Sequence, residues 1–133
     1  MTAAIKGSVG APNARILSVG AYRPERVVPN AEIVDRINSS DEWIRERSGI
    51  IERRWAAADE TVVDLAVNAA AIALERSGIA PDQIGMVMVG TVTHPYQTPS
   101  AAAEIADRLG AVNAAAVDLS AACAGFCYGL ALA

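Results

Sequence analysis

Apolar residues recur at helical spacing in the middle of the chain and form short continuous runs towards its end. Between Thr61 and Gly78 an apolar residue returns every three or four positions, which predicts an amphipathic helix. Thr61 and Asp64 match a capping box at its start, and Gly78 suits a left-handed end. Residues 86–92 and 114–117 are continuous apolar runs, typical of strands buried on both faces.

The order of these segments indicates a fold class. Another helix is predicted over residues 100–109, where Gly110 would end it. A last helix, over residues 124–133, is apolar all round and should be buried. Helices and strands therefore alternate from residue 61 onward. This alternation predicts an α/β protein with a mostly parallel sheet and helices on both faces.

The first part of the chain predicts shorter elements. Residues 1–14 are rich in Gly, Pro and Ala and are expected to be a loose leader to a domain over residues 15–133. Residues 15–22 favour a strand. Asn30 is predicted to cap a short helix over residues 31–38.

A second short helix is predicted around Trp43. Ser39 and Glu42 match a capping box, and Gly49 would end the helix before an extended segment. Trp43 and Arg47 are four residues apart, so they lie on one face of this helix. An indole and a guanidinium so placed can hold an adenine ring. The alternative is an aromatic residue packed in the core with an arginine beside it.

Composition narrows the function classes. At 133 residues the chain is long enough for one domain with a core of its own. Aromatic residues make up 5% and the formal net charge is −4, which disfavours a nucleic-acid surface. Nine of the 11 Lys and Arg residues lie within the first 54 positions, and such a cluster favours a small anion such as a phosphorylated cofactor. No apolar run reaches the length of a membrane span, so a soluble, cytoplasmic protein is expected.

Cys123 is the strongest candidate for chemistry. It opens the last predicted helix at the carboxyl end of a strand, where α/β folds bind ligands. The free N–H groups at a helix start favour a thiolate, and Ala122 and Ala124 leave space for a substrate at the sulfur. The alternative is a buried cysteine that acts as a small apolar side chain. Cys127 follows four residues later, a spacing that predicts neither a metal site nor a redox pair.

Two motifs resemble those of a known enzyme family. The active-site motif of β-ketoacyl-acyl-carrier-protein synthase III, in the thiolase-like superfamily, is similar to Ser-Ala-Ala-Cys-Ala-Gly-Phe at residues 120–126. A second match is Ser-Ser-Asp-Glu-Trp-Ile at residues 39–44, which continues through residues 47–50 to the arginines at 53 and 54. The resemblance runs from about Arg15 to the last residue. It covers the N-terminal half of such an enzyme, which implies one lobe of a two-lobed, thiolase-like fold.

The resemblance implies an acyltransferase that starts fatty-acid synthesis by a decarboxylating Claisen condensation. Cys123 would accept an acyl group from acyl-coenzyme A and release it to the carbanion that forms when malonyl-acyl-carrier protein loses CO₂. The coenzyme A thioester is then a substrate, and no permanently bound cofactor or metal is implied. A homodimer is implied as well, with no nucleic-acid or membrane partner. The histidine and asparagine that drive decarboxylation in the family would come after residue 133.

The resemblance also assigns binding residues. Trp43 and Arg47 match the positions that contact the adenine of coenzyme A, and Ser39 stands where the family often has threonine. Thr98 stands where relatives close the acyl pocket across the dimer interface, so that longer or branched primers would fit; the alternative is an ordinary polar residue before a proline. His94, the only histidine, does not match the family's catalytic one and is interpreted as a surface or turn residue.

Two other functions fit the same residues. A polyketide-pathway starter or acyl-transfer relative would use Cys123 with another acceptor. A non-catalytic thiolase-like remnant would only dimerise or bind. The second alternative depends on the end of the chain at Ala133, where the last helix is still apolar and a truncated chain is therefore expected.

Overall fold

Two small sheets and four α-helices make up residues 13–133, the part of the chain that the computed structural model describes. The elements are, in chain order, β1 (Arg26–Pro29), α1 (Asp41–Ser48), β2 (Glu52–Trp55), α2 (Val62–Ser77), β3 (Met86–Gly90), α3 (Ala101–Leu109), β4 (Ala115–Leu119) and α4 (Gly125–Leu132). Short 3₁₀ helices occupy Asn30–Glu32, Pro81–Gln83 and Ala122–Ala124. The predicted leader over residues 1–14 lies outside the described residues except for its last two positions.

The strands β3 and β4 form the parallel pair that the alternating pattern predicts. Their register runs from Met86 opposite Ala115 to Gly90 opposite Leu119. Parallel neighbours need a crossover connection, and α3 lies in it. The α/β class and the parallel pairing are confirmed.

The core lies where α2 and α3 meet the parallel sheet. Val63, Ala101 and Ile105 are no more than 2% exposed, and Val87 and Val89 of β3 pack against them. Full burial of a valine or isoleucine side chain stabilises the fold by roughly 2 kcal/mol. None of the helices in residues 13–133 is long and apolar enough to cross a membrane.

The predicted capping residues set both ends of α2, and Gly110 ends α3 as predicted. Thr61 Oγ1 accepts from the Asp64 N–H at 3.2 Å, and Asp64 Oδ2 accepts from the Thr61 N–H at 2.7 Å. Gly78 ends α2 with φ 68°. Ser100 caps the start of α3 through its side chain, and Gly110 ends that helix with φ 73°. Only glycine adopts these left-handed angles without strain, so both ends are local properties of the sequence.

The Asp64 carboxylate makes the α2 cap depend on pH. Hydrogen bonds from Thr61 and from the Arg108 guanidinium at 2.8 Å hold the pKa of Asp64 well below its usual range. Such a shift stabilises the fold above the unfolded-state pKa of about 4, and the contribution is lost as the pH falls through the folded-state pKa. We therefore expect Asp64→Asn to lower the melting temperature more at pH 7 than at about pH 3.

Scanning calorimetry at the two pH values checks this expectation on the protein expressed from the complete gene. Glu75→Gln, on the exposed side of α2, is the matched control and should have little effect at either pH. An equal loss of melting temperature at both pH values for Asp64→Asn would contradict the role of the ionised carboxylate.

The predicted strand over residues 15–22 is wrong. The described chain there forms no strand and packs on α2 instead. Ser18 Oγ donates to Ala73 O at 2.7 Å, and Arg76 donates to Val19 O at 2.8 Å. A strand needs a ladder partner, and these side-chain hydrogen bonds join the segment to a helix rather than to another strand.

The predicted helix over residues 31–38 is also wrong. A 3₁₀ helix of three residues and further turns take its place. Asn30 is 1% exposed and donates to Asp41 Oδ1 at 2.7 Å and to Ile50 O at 2.9 Å. Its Oδ1 accepts from Arg53. Because the whole side-chain amide serves these tertiary hydrogen bonds, Asn30 does not cap a helix.

The N-cap of α1 lies one residue later than predicted. Ser40, not Ser39, is the N-cap, and its Oγ accepts from the Trp43 N–H at 3.1 Å. The predicted end at Gly49 is confirmed, with φ 71°. The extended segment that follows is β2, which pairs antiparallel with β1. The pattern missed β1 because that strand is only four residues long.

The last elements are more exposed than predicted. The first three residues of β4 are exposed, and Phe126 of α4 is 78% exposed. In residues 13–133, β4 has only β3 as a neighbouring strand. The predictions of a fully buried strand and of a helix buried all round are therefore wrong for the described chain. The strand β3 also ends at Gly90, two residues before the predicted end.

Candidate active site and ligand cavity

A strand-to-helix turn presents Cys123, as predicted. The 3₁₀ helix Ala122–Ala124 connects β4 to α4, and the cysteine side chain is exposed. Ala122, directly before it, has φ 44°, a left-handed conformation that costs an ordinary residue roughly 1–3 kcal/mol. Strained backbone of this kind concentrates at functional turns. The predicted helix start differs in detail, because Cys123 precedes α4 by two residues.

Two glycines bring the start of α4 onto the end of β3. A Cβ on Gly125 would lie 3.3 Å from Gly90 Cα, tighter than ordinary van der Waals contact. A larger residue at either position would push the helix away from the strand. The glycine pair therefore places the cysteine turn at the carboxyl ends of both parallel strands, where ligands bind in this class of sheet.

Asp118 connects the end of β4 to the start of α3. Its carboxylate accepts from the Ala101 and Ala102 N–H groups, each at 2.8 Å. A carboxylate at a helix N-terminus satisfies free N–H groups and opposes the positive end of the helix dipole. The role of Asp118 was not predicted; the signal for it was an acidic side chain at the end of an apolar strand.

The loop before α3 is organised by His94. The His94 side chain is 7% exposed, with Nε2 3.2 Å from Pro99 O and 3.8 Å from Glu104 Oε1. The Tyr96 ring meets the imidazole edge-on, with 5.7 Å between ring centroids. His94 is thus a turn residue whose side chain is buried. Thr98 lies in the same loop and is exposed.

A separate cavity is lined by two of the three predicted coenzyme A residues, Trp43 and Ser39. The Arg47 guanidinium lies 5.9 Å from the centroid of the Trp43 ring, and Trp43 is 55% exposed. A cavity of about 460 Å³ is lined by Trp43, Ser39 and three neighbouring residues. Among the described residues, Ser39 Oγ is the buried side-chain polar atom that has no hydrogen-bond partner. A buried polar atom without a hydrogen bond lowers the stability of the fold unless another group supplies the missing partner.

The neighbouring arginines have structural partners. Arg45 forms a salt bridge with Asp41 at 2.8 Å, and this contact holds the pKa of Asp41 below its usual range. Arg53 donates to Val28 O, and Arg54 donates to a backbone carbonyl at 2.9 Å. These three guanidinium groups bind within the fold, whereas Arg47 faces the exposed indole. Within residues 13–133, no group of three or more His, Cys, Asp or Glu side chains could hold a metal ion.

Curated relatives and solved structures agree with this geometry, although no protein-family model matches the chain. β-Ketoacyl-acyl-carrier-protein synthase III 1 of Streptomyces coelicolor is 60% identical over 129 residues, which are 97% of this chain and 38% of that protein. The synthase III of Kocuria rhizophila is 52% identical over 131 residues, or 98% of this chain and 37% of that protein.

Solved structures extend the relation to the fold. The priming β-ketosynthase of the R1128 polyketide biosynthetic pathway superposes with a TM-score of 0.85 at 49% identity, covering 90% of this chain and 36% of that one. The synthase III of Thermus thermophilus gives a TM-score of 0.82 at 44% identity, covering 90% of this chain and 37% of that one.

The α/β unit with its cysteine turn is a thiolase-like lobe. Over nearly its whole length the chain is similar to the β-ketoacyl-acyl-carrier-protein synthases III named above. The resemblance drawn from the two motifs is confirmed. The chain spans less than two fifths of the length of the curated relatives described above.

Proposed function

We propose that the protein containing this chain condenses an acyl-coenzyme A primer with malonyl-acyl-carrier protein and so starts fatty-acid synthesis. The observation that carries this proposal is the exposed Cys123, held on a strained turn at the carboxyl ends of two parallel strands. The names of the relatives support the same reaction class.

The proposed chemistry has two steps at Cys123. Its thiolate attacks the carbonyl carbon of the acyl-coenzyme A thioester, and coenzyme A leaves as a thiolate that takes up a proton, which gives an acyl-cysteine. Malonyl-acyl-carrier protein then loses CO₂, and its carbanion attacks the acyl carbon. Cys123 leaves as the thiolate and is regenerated. The Cys123 backbone N–H is the proposed donor to the oxyanion that forms in both steps.

Mass spectrometry of the protein expressed from the complete gene tests this proposal. Incubation with an acyl-coenzyme A should add one acyl group to the peptide that contains Cys123, and malonyl-acyl-carrier protein should then remove it. A protein that gains no acyl mass would overturn the proposal. If the acyl-cysteine forms but malonyl-acyl-carrier protein does not remove the acyl group, the acyl-transfer step would stand and the condensation step would be overturned.

The cavity at Trp43 is the proposed site for the adenine of coenzyme A. The Trp43 indole and the Arg47 guanidinium offer a stacking surface, and the unpartnered Ser39 hydroxyl offers a hydrogen bond to a ligand. The coenzyme A thioester is a substrate here, and the proposal includes no permanently bound cofactor.

Replacing Trp43 with alanine should weaken substrate binding without changing the chemistry. Loss of the stacking surface is expected to raise the KM for acyl-coenzyme A about tenfold and to leave kcat within about twofold. Steady-state kinetics measure both quantities. Trp55→Ala is the matched control, because Trp55 also has an arginine over its ring, Arg26 at 5.2 Å, but lines a different cavity. An unchanged KM in Trp43→Ala would return Trp43 to a purely structural role.

Thr98 is the residue proposed to close the acyl pocket. In a homodimer, each subunit would contribute its Thr98 to the pocket of its partner. Thr98→Phe should reduce kcat/KM for long or branched primers at least about tenfold and leave acetyl-coenzyme A within about threefold, because the added ring occupies space that only larger acyl groups need. Competition between acetyl- and longer acyl-coenzyme A esters measures the preference. Thr98→Ser is the matched control, and a phenylalanine variant that still accepts long primers would remove Thr98 from the pocket.

A polyketide-priming role is the second candidate. The likeness to the R1128 priming β-ketosynthase, at 49% identity and a TM-score of 0.85, favours it. Condensation assays with fatty-acid and polyketide carrier proteins in parallel separate the two roles. We place either reaction in the cytoplasm, since the two free cysteines suit a reducing compartment.

A further inference from the structure

We infer that His94 is a positioning residue that holds the loop carrying Thr98 and thereby sets which acyl groups the protein accepts. This inference rests on the proposed function for the acyl pocket. It concerns the loop over residues 94–99, which runs from the end of the β3 region to the start of α3. His94 opens this loop and Pro99 closes it.

A single hydrogen bond closes the loop. Pro99 O is a carbonyl and can only accept, so His94 Nε2, 3.2 Å away, carries the proton and donates. The imidazole is nearly buried, and the Tyr96 ring packs edge-on against it. A side chain at the first position thus binds the backbone at the sixth. This contact restricts the conformations of the four residues between them, Thr98 included.

The far side of the loop is fixed by the helix that follows. Ser100 is the N-cap of α3, and Asp118 binds the first two N–H groups of that helix. The hydrogen bond between His94 and Pro99 therefore ties the loop to a fixed helix start. Surface loops are in general more mobile than the helices and strands they connect. Without this hydrogen bond, the segment before Pro99 has no comparable side-chain anchor among the contacts described above.

The same loop borders a cavity at the carboxyl end of β4. The cavity, of about 470 Å³, is lined by His94 and Gln97 from the loop and by Asp118 and Ser120 from the end of β4. Ser120 is three residues before Cys123. The loop conformation therefore shapes a space at the end of the strand that leads to the proposed nucleophile.

Glutamine and asparagine separate the hydrogen bond from the rest of the imidazole. The side-chain nitrogen of glutamine lies as many bonds from the backbone as histidine Nε2, whereas that of asparagine corresponds to Nδ1 and is too short to reach Pro99. The selectivity is the kcat/KM for long primers divided by the kcat/KM for acetyl-coenzyme A. We expect His94→Asn to bring this ratio about tenfold closer to one than it is in wild type. His94→Gln should stay within about threefold of the wild-type ratio.

Hydrogen exchange provides a readout that does not need activity. In the complete gene product, the amides of residues 96–98 should exchange about tenfold faster in His94→Asn than in wild type, with His94→Gln close to wild type. Equal losses of kcat/KM for every primer would overturn the selectivity role, because they indicate general damage. Unchanged exchange in His94→Asn would overturn the anchoring role alone.

Failure of the proposed function gives a different result. A wild-type protein that reacts with no acyl-coenzyme A overturns the selectivity statement together with the proposed function. In that case the exchange experiment still decides whether His94 anchors the loop.

Discussion

Replacing Cys123 with alanine is expected to lower acyl transfer from acyl-coenzyme A at least about 1,000-fold, because the proposed covalent intermediate forms on its sulfur. Cys127 provides the matched control, since it is also free and exposed and lies four residues further on. Cys127→Ala should keep the rate within about threefold. Intact-mass measurement of the acyl-enzyme, followed over time, distinguishes the two variants.

Chemical labelling tests the same assignment without substrates. Because Cys123 stands before the start of α4 and Cys127 lies inside it, iodoacetamide should modify Cys123 first in the protein expressed from the complete gene. Peptide mass spectrometry assigns the modified cysteine. Equal, slow labelling of both thiols would contradict activation by position, and acyl transfer in Cys123→Ala would exclude Cys123 as the nucleophile.

Replacing Gly20 with alanine is expected to lower the free energy of unfolding by about 3 kcal/mol, because there is no space for a side chain against α2. A Cβ at Gly20 would overlap Ala69 O and would lie 2.6 Å from Ala73 N, both backbone atoms that cannot rotate away. The segment would have to leave the helix and give up the hydrogen bond from Ser18 to Ala73. Denaturant unfolding of the complete gene product measures the loss.

Gly85→Ala is the control for this clash. Nothing lies within 4 Å of a Cβ built at Gly85, so the substitution should change stability by less than about 1 kcal/mol. If Gly20→Ala is too unstable to purify, the soluble yields of the two variants decide the comparison. Equal stability of both variants would show that the segment does not pack closely on α2.

Local signals explain what the sequence predicted correctly. The capping box of Thr61 and Asp64 and the glycine at 78 act within a few residues of each helix end, so the bounds of α2 follow from the sequence alone. The same holds for Trp43 and Arg47, whose spacing of four places them on one face before any tertiary contact is known.

Errors arose where the partner is distant in sequence. Residues 15–22 have a strand-like pattern, but whether they form a strand depends on a neighbour that the pattern does not specify. Asn30 suits a helix cap by type, yet its amide is taken by groups up to 23 residues away. The apolar character of α4 predicted burial, which depends on what covers it and not on the helix itself.

The predictions about the candidate site can be divided in the same way, into those that depend on local signals and those that depend on distant partners. The position of Cys123 followed from a strand run, a helix run and a motif between them. The left-handed Ala122 and the contacts of His94 and Asp118 did not follow, because each depends on how the turn, the loop and α3 come together. Tertiary placement, not residue type, assigns these three residues their roles.

The carboxylate of Asp118 has a consequence for engineering the proposed primer preference. Because it holds the first amides of α3, the strand that leads to the cysteine and the helix that follows the selecting loop share one support. Substitutions on the two sides of that support should be non-additive, with coupling energies on the order of 1 kcal/mol in double-mutant cycles. Under the proposed role of the loop, libraries that vary the loop together with the end of β4 should sample acyl specificities that libraries confined to the loop do not contain.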